Sequence, residues 1–177
     1  MSEQINEQTV PEMPVDATPA DYLRAVKAKL RTNKQREAFR LLMQAVIRFQ
    51  NDPVILSYYG CMQALVDKKY RSGVEACKKA IAQVKKMKTF GEELLYPVLY
   101  LNLGRAYLAA QKKSEAVEAF KQGLKFDNTH RDLLRELRAM GVRKPAPVPF
   151  LDRSNPINKY IGMLTNAPKK GQAPKRP

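Results

Sequence analysis

From Pro19 onward, apolar and small residues recur at helical spacing and in phase with a longer period. Tyr100, Leu103, Gly104 and Tyr107 read aromatic-x-x-Leu-Gly-x-x-Tyr, and Ala116 with Phe120 adds Ala-x-x-x-Phe nine residues on. With Gly104 at position 8, a 34-residue unit opens at Pro97. A second unit opens at Pro53, with Leu56, Tyr59 and Gly60 at positions 4, 7 and 8. Its second half carries Tyr70, Gly73, Cys77 and Ala80 displaced by one residue, which predicts a slightly longer turn over 67–69. A third unit opens at Pro19 with Tyr22, Ala25, Ala38, Leu42 and Ala45. Pro19 to Pro53 spans 34 residues, whereas Pro53 to Pro97 spans 44. The extra residues fall around 85–96, as if the second helix of the middle unit runs on until Gly91 interrupts it.

Helix-end chemistry agrees with these boundaries. Thr18-Pro19-Ala20-Asp21 and Asn51-Asp52-Pro53 place a capping side chain before a proline able to open a helix. Residues 129–140 set Leu133, Leu134 and Leu137 on one face among charged neighbours, with Gly141 as the terminator.

Taken together, Tyr100, Leu103, Gly104, Tyr107, Ala116 and Phe120 closely resemble the tetratricopeptide repeat, with Tyr for the usual Trp and Asn128 for the usual Pro. The resemblance covers 19–128 and is similar to small three-repeat bacterial proteins. It implies an all-α fold: an α-solenoid of three helix pairs plus a capping helix, followed by an extended, Pro-rich C-terminal segment. The domain organisation expected from it has four parts. An acidic, disordered stretch covers 1–18, and the repeat domain covers 19–141, with repeats at 19–52, 53–96 and 97–130 and a capping helix at 129–140. A docking segment with a short helix covers 142–167, and a basic tail covers 168–177. Antiparallel helices approach closely only where side chains are small, a role expected of Gly60 with Gly73 and Gly104 with Ala116. A solenoid pair cannot bury its apolar stripe alone, so about three pairs must stack. The first unit departs from the pattern, with Val26 at the glycine position and Lys29 at the tyrosine position, and is expected to be the weakest.

Composition sharpens the functional picture. The net charge is +15, yet residues 1–18 hold Glu3, Glu7, Glu12 and Asp16 and no Lys or Arg, so the positive field belongs to the rest. Such a field favours acidic partners, whether protein, nucleic acid or anionic membrane. Seven of the twelve prolines follow Gly141. Among them, Phe150, Leu151, Ile157, Tyr160, Ile161 and Leu164 are too apolar for a tail that touches nothing, so this segment is expected to dock on the protein itself or on a partner. Cys61 and Cys77 read as reduced, buried thiols. No secretory leader and no membrane-length apolar run is visible, which makes the cytoplasm the default location.

The family resemblance places partners in a concave groove lined by the first helix of each repeat, at positions 2, 5, 6, 9, 12 and 13. Carried over, these are Ala20, Leu23, Arg24, Lys27, Leu30 and Arg31, then Val54, Ser57, Tyr58, Cys61, Ala64 and Leu65, then Val98, Leu101, Asn102, Arg105, Leu108 and Ala109. The expected site is Arg24, Lys27, Arg31, Tyr58, Leu101, Asn102 and Arg105. It would suit a peptide with an apolar anchor and carboxylate groups, because Arg can hold a carboxylate in a bidentate fork. Some members clamp a C-terminal carboxylate with a fixed set of Lys, Asn and Arg. Here those positions hold Leu23, Lys27, Tyr58, Val98 and Asn102, a departure that argues against chaperone-tail specificity. A second basic feature, Arg71, Lys78 and Lys85 with Lys79 and Lys86, is expected to face outward as a solvated helix face or as a phosphate-contacting or membrane-surface patch. No nucleophile–base pair, phosphate loop or metal-ligand spacing appears, and His130 reads as a surface residue, so neither catalysis, cofactor nor metal is expected. The leading reading is a protein-binding scaffold. The alternatives are a basic accessory protein binding nucleic acid or an anionic surface, and a chaperone for a secreted subunit.

Overall fold

The computed structural model describes residues 13–87 and 91–141. The helices are α1 (Pro19–Arg31), α2 (Gln35–Arg48), α3 (Pro53–Leu65), α4 (Tyr70–Met87), α5 (Tyr96–Ala109), α6 (Lys113–Phe126) and α7 (Arg131–Ala139), with a 3-10 turn at Glu92–Leu94. No strand occurs among the described residues. The chain divides into two units, Met1–Ala139 and Met140–Pro177. Of the second, Met140 and Gly141 are described, with Gly141 at φ +74°.

Each helix boundary has a local cause. The Thr18 hydroxyl accepts from the Asp21 N–H at 3.3 Å while the Asp21 carboxylate accepts from the Thr18 N–H at 3.0 Å, a reciprocal box that satisfies two free donors. At α3, Asp52 accepts from the N–H groups of Val54 and Ile55 at 2.9 and 2.8 Å, and Pro53 supplies the preset φ. The turns inside the three helix pairs share one design. Asn33, Lys68 and Gln111 adopt φ of 59°, 57° and 60°. The following N–H then reaches back to the helix: Lys34 to the Lys29 carbonyl at 2.9 Å and Lys112 to the Tyr107 carbonyl at 2.9 Å. In the middle pair Lys69 reaches Gln63 at 3.2 Å, a loop longer by one residue. That extra residue is the displacement seen in the sequence.

Helix α4 is the longest among the described residues, at 18 residues, and Gly91 at φ +85° opens the 3-10 turn that leads into α5. The α3–α4 contact is nearly backbone on backbone. A Cβ placed on Gly60 would sit 2.6 Å from the Gly73 carbonyl oxygen and 2.8 Å from the Ala76 Cβ. Gly104 behaves otherwise than expected: the atoms nearest its missing Cβ are those of the Phe120 ring, not Ala116. Phe120 and Ala116 are both fully buried, so the glycine gives a large ring its place where a small-to-small contact was expected. Gly123 similarly leaves room for Leu133 of α7.

Two clusters form the centre. Val26, Ala38, Leu41, Leu42 and Met62 join α1, α2 and α3, while Cys77, Ala80, Val84, Leu99, Leu103 and Ala106 join α4 and α5. Lys29, in the tyrosine position of the first repeat, extends to Glu37 of α2 at 2.5 Å, which Lys34 also contacts at 3.2 Å. The expected unstructured stretch 1–18 needs correction at its end. Met13 packs against the first cluster, Ala17 is buried, and Arg48 of α2 donates to the carbonyls of Pro14, at 3.1 Å, and Val15. Residues 1–12 lie outside the described residues.

Candidate interaction face

The first helices α1, α3 and α5 share one face, and its residues meet in register. Lys27 of α1 holds its ammonium 6.0 Å from the centre of the Tyr58 ring on α3, within cation–π reach. Asn102 of α5 donates to the Ser57 hydroxyl of α3 at 3.1 Å. Arg105 of α5 places Nε and Nη2 each 2.8 Å from one Glu136 oxygen on α7. Helix α7 is therefore more than a cap. Arg131 follows Pro97 by the same 34 residues that separate Pro19 from Pro53, so α7 stands where the first helix of a fourth pair would begin.

The residues expected to contact a partner divide into three groups. Arg24, Lys27 and Arg31 are exposed on α1, and Tyr58 is half-buried beneath Lys27. Arg24 reaches Asp21 one turn earlier at 3.1 Å in a largely solvated pair of little energetic weight. Leu101 and Asn102 are buried, with relative exposures of 3% and 1%. Their assignment as partner contacts is corrected: Leu101 packs inside the fold, and Asn102 is committed to Ser57, because a buried amide left unpaired would be costly. Arg105 is only partly accessible and already holds a carboxylate.

Electrostatics at the centre follow from this packing. Burial pushes the Tyr58 phenol up, with Arg105 pulling it down and Cys61 and Asp132 raising it further. Burial raises the Cys61 thiol to about 12, Arg105 opposing and Glu136 adding. Cys77 lies well above its ordinary value for the same first reason, and its thiol donates to the Ser57 carbonyl at 3.4 Å. Both thiols are free and protonated, and neither has the thiolate character a nucleophile requires. His130 accepts at Nδ1 from the Leu133 N–H at 3.4 Å, a long contact at the start of α7.

The α4 cations Arg71, Lys78, Lys79, Lys85 and Lys86 are all exposed. They are not a pure cationic surface. Lys78 pairs with Glu75 at 3.1 Å, and the cleft of about 440 Å³ beside Arg71 and Lys78 is also lined by Glu75 and Glu115. The docking residues Phe150, Leu151, Ile157, Tyr160, Ile161 and Leu164 lie outside the described residues. Sequence reasoning overlooked Asp132 and Glu136 as members of this face. The signal was available in the 34-residue spacing from Pro97 to Arg131.

No protein-family model matches the chain, and no curated protein matches it in sequence. Its fold is nonetheless tetratricopeptide-like. A solved structure described as the first TPR of Spaghetti (RPAP3) bound to the HSP90 peptide SRMEEVD is similar, with a TM-score of 0.50. The two are 18% identical, over 72% of this chain and 96% of that chain. Among the described residues, no helix is long and apolar enough to cross a membrane.

Proposed function

We propose that this chain is a non-catalytic scaffold that holds a segment of another protein against the face formed by the first helices of its repeats. The observation that carries this reading is Lys27. Its ammonium is exposed above a half-buried tyrosine, flanked by Arg24 and Arg31, and no ion pair engages it or Arg31 among the described residues. A cationic rim beside an aromatic floor suits an extended segment with an apolar side chain and carboxylates. The structural neighbour carries a peptide with acidic residues, which is consistent with this preference. The fixed carboxylate clamp is not reproduced here, so the segment is read through its side chains rather than through a free C-terminus.

Binding of nucleic acid or an anionic surface is the weaker reading, because Glu75 and Glu115 sit among the α4 cations. A chaperone role would use the same face. No cofactor enters the reading, and two free, buried thiols suit the cytoplasm. The test is affinity capture from native cells with wild type and an Arg24→Glu, Lys27→Glu variant. Loss of a specific partner is expected. Unchanged recovery by a variant with native circular dichroism would refute the assignment of this face.

A further inference from the structure

The face described above is electrically asymmetric. At the α1 end stand Arg24, Lys27 and Arg31; Asp21 engages Arg24, and Asp16 lines the same cleft, but among the described residues no carboxylate pairs with Lys27 or Arg31. At the α7 end, Arg105 is held by Glu136, and Arg135 is 2.9 Å from Asp132. Glu136 thus does to Arg105 what an acidic ligand would do. Leu133 and Leu137 bury α7 against its neighbours, with Leu133 filling the space that Gly123 leaves, so the backbone that carries Glu136 is fixed beside Arg105.

We infer that this face accepts its partner in one orientation, with carboxylates seated on Lys27 and Arg31 at the α1 end. Glu136, already on Arg105, closes the α7 end to acidic groups. The inference rests on the scaffold reading and adds the polarity of the bound segment. It makes Lys27 and Arg31 the residues that read charge, and Glu136 the residue that excludes it. A carboxylate approaching Arg105 would meet Glu136, a like charge in a partly desolvated setting, whereas one approaching Lys27 meets an ammonium with no carboxylate of its own. Tyr58, between the two ends, offers the apolar floor.

The experiment titrates full-length protein into fluorescein-labelled SRMEEVD, amidated at its C-terminus so that only side-chain carboxylates remain. Lys27→Ala with Arg31→Ala is expected to weaken binding about tenfold or more, the loss of charge-assisted hydrogen bonds. Arg105→Gln with Glu136→Gln leaves net charge unchanged and is expected to stay within about twofold of wild type, since neither group contacts the probe's carboxylates. Glu136→Gln alone frees Arg105 and should tighten binding about fivefold. In a second measurement on wild type, a nitroxide beside the peptide's acidic residues should broaden amide signals of α1 and spare α7. If the Arg105–Glu136 double variant loses binding while the Lys27–Arg31 variant keeps it, or if broadening falls on α7, the orientation is overturned and the scaffold reading survives. Absence of saturable binding by wild type and every variant overturns the orientation, while the scaffold reading is decided by the affinity capture above.

Discussion

Gly60→Ala adds one methyl group where α3 and α4 nearly touch. Two effects compete. Alanine in a helix interior is favoured over glycine by about 1 kcal/mol. Against this, the new Cβ would lie 2.6 Å from the Gly73 carbonyl oxygen, 2.8 Å from the Ala76 Cβ and 3.0 Å from the Cys77 nitrogen. Two of these atoms are backbone and the third is fixed directly to it, so no rotamer change relieves the contact. The helices must part by roughly 1 Å along their closest approach, and overpacking of this kind costs typically 1–3 kcal/mol, sometimes more. The backbone contacts place this site at or above the upper end, for a net loss of about 2 kcal/mol after the helix gain. For a domain of this size that is a fall of roughly 6–10 °C in Tm. Gly123→Ala is the matched control. Its new Cβ meets the end of the Leu133 side chain at 2.8 Å and the Tyr100 Cβ at 3.1 Å, and a leucine terminus can rotate away. Thermal melts followed at 222 nm should therefore rank wild type and Gly123→Ala together, above Gly60→Ala. A Gly60→Ala melt at or above that of Gly123→Ala would refute the close helix contact on which the repeat reading rests.

Three further outcomes follow from the same geometry. In a urea double-mutant cycle on Ser57→Ala and Asn102→Ala, each single change should cost about 1–3 kcal/mol with a coupling near 1 kcal/mol, and zero coupling would break the assigned hydrogen bond. Gln111→Gly should stabilise by about 0.5–1 kcal/mol, since φ +60° is strained for glutamine but free for glycine, and a loss on denaturation would contradict the left-handed turn. The raised thiols set an alkaline limit: the folded state keeps the Cys61 proton up to about 12 while the unfolded chain releases it from an ordinary value of 9.0. The unfolded state then binds fewer protons, so this contribution is full below pH 9 and falls as pH rises toward the folded value, by about 1.4 kcal/mol for Cys61 at pH 10, with Cys77 acting in the same direction. Urea midpoints of wild type should drop more steeply between pH 8 and 10 than those of a Cys61→Ala, Cys77→Ala variant, and parallel curves would show the thiols to be accessible.

The helix pairs were legible because their determinants are local and repeated. Pro19, Pro53, the Thr18 box and the Asp52 cap fix helix starts through groups within three residues, and small residues at Gly60 and Gly73 leave a sequence mark where helices touch. The one-residue displacement of Tyr70 and Gly73 against the period was enough to place the longer turn around Lys68. Gly104 shows the limit of this reasoning: periodicity marks where room is needed, and only packing decides that Phe120 takes it.

The interaction face was legible in direction but not in availability, for a physical reason. Position within a repeat determines which way a side chain points, and Lys27, Tyr58, Asn102 and Arg105 all lie on the first helices of their pairs. Whether such a residue is free depends on the next helix along. Lys27 meets an aromatic ring, Asn102 meets Ser57, and Arg105 meets Glu136. The first of these contacts leaves a cation exposed for a partner, the second buries an amide, and the third neutralises a guanidinium. A groove residue can therefore be judged only together with its neighbour across the repeat boundary. By that rule the accessible charge of this face gathers, among the described residues, on α1, in the repeat whose sequence departs furthest from the pattern. Lys29, the lysine in place of an aromatic, is engaged by Glu37 of α2, so it is the three cations on the open side, Arg24, Lys27 and Arg31, that would suit this end to an acidic segment.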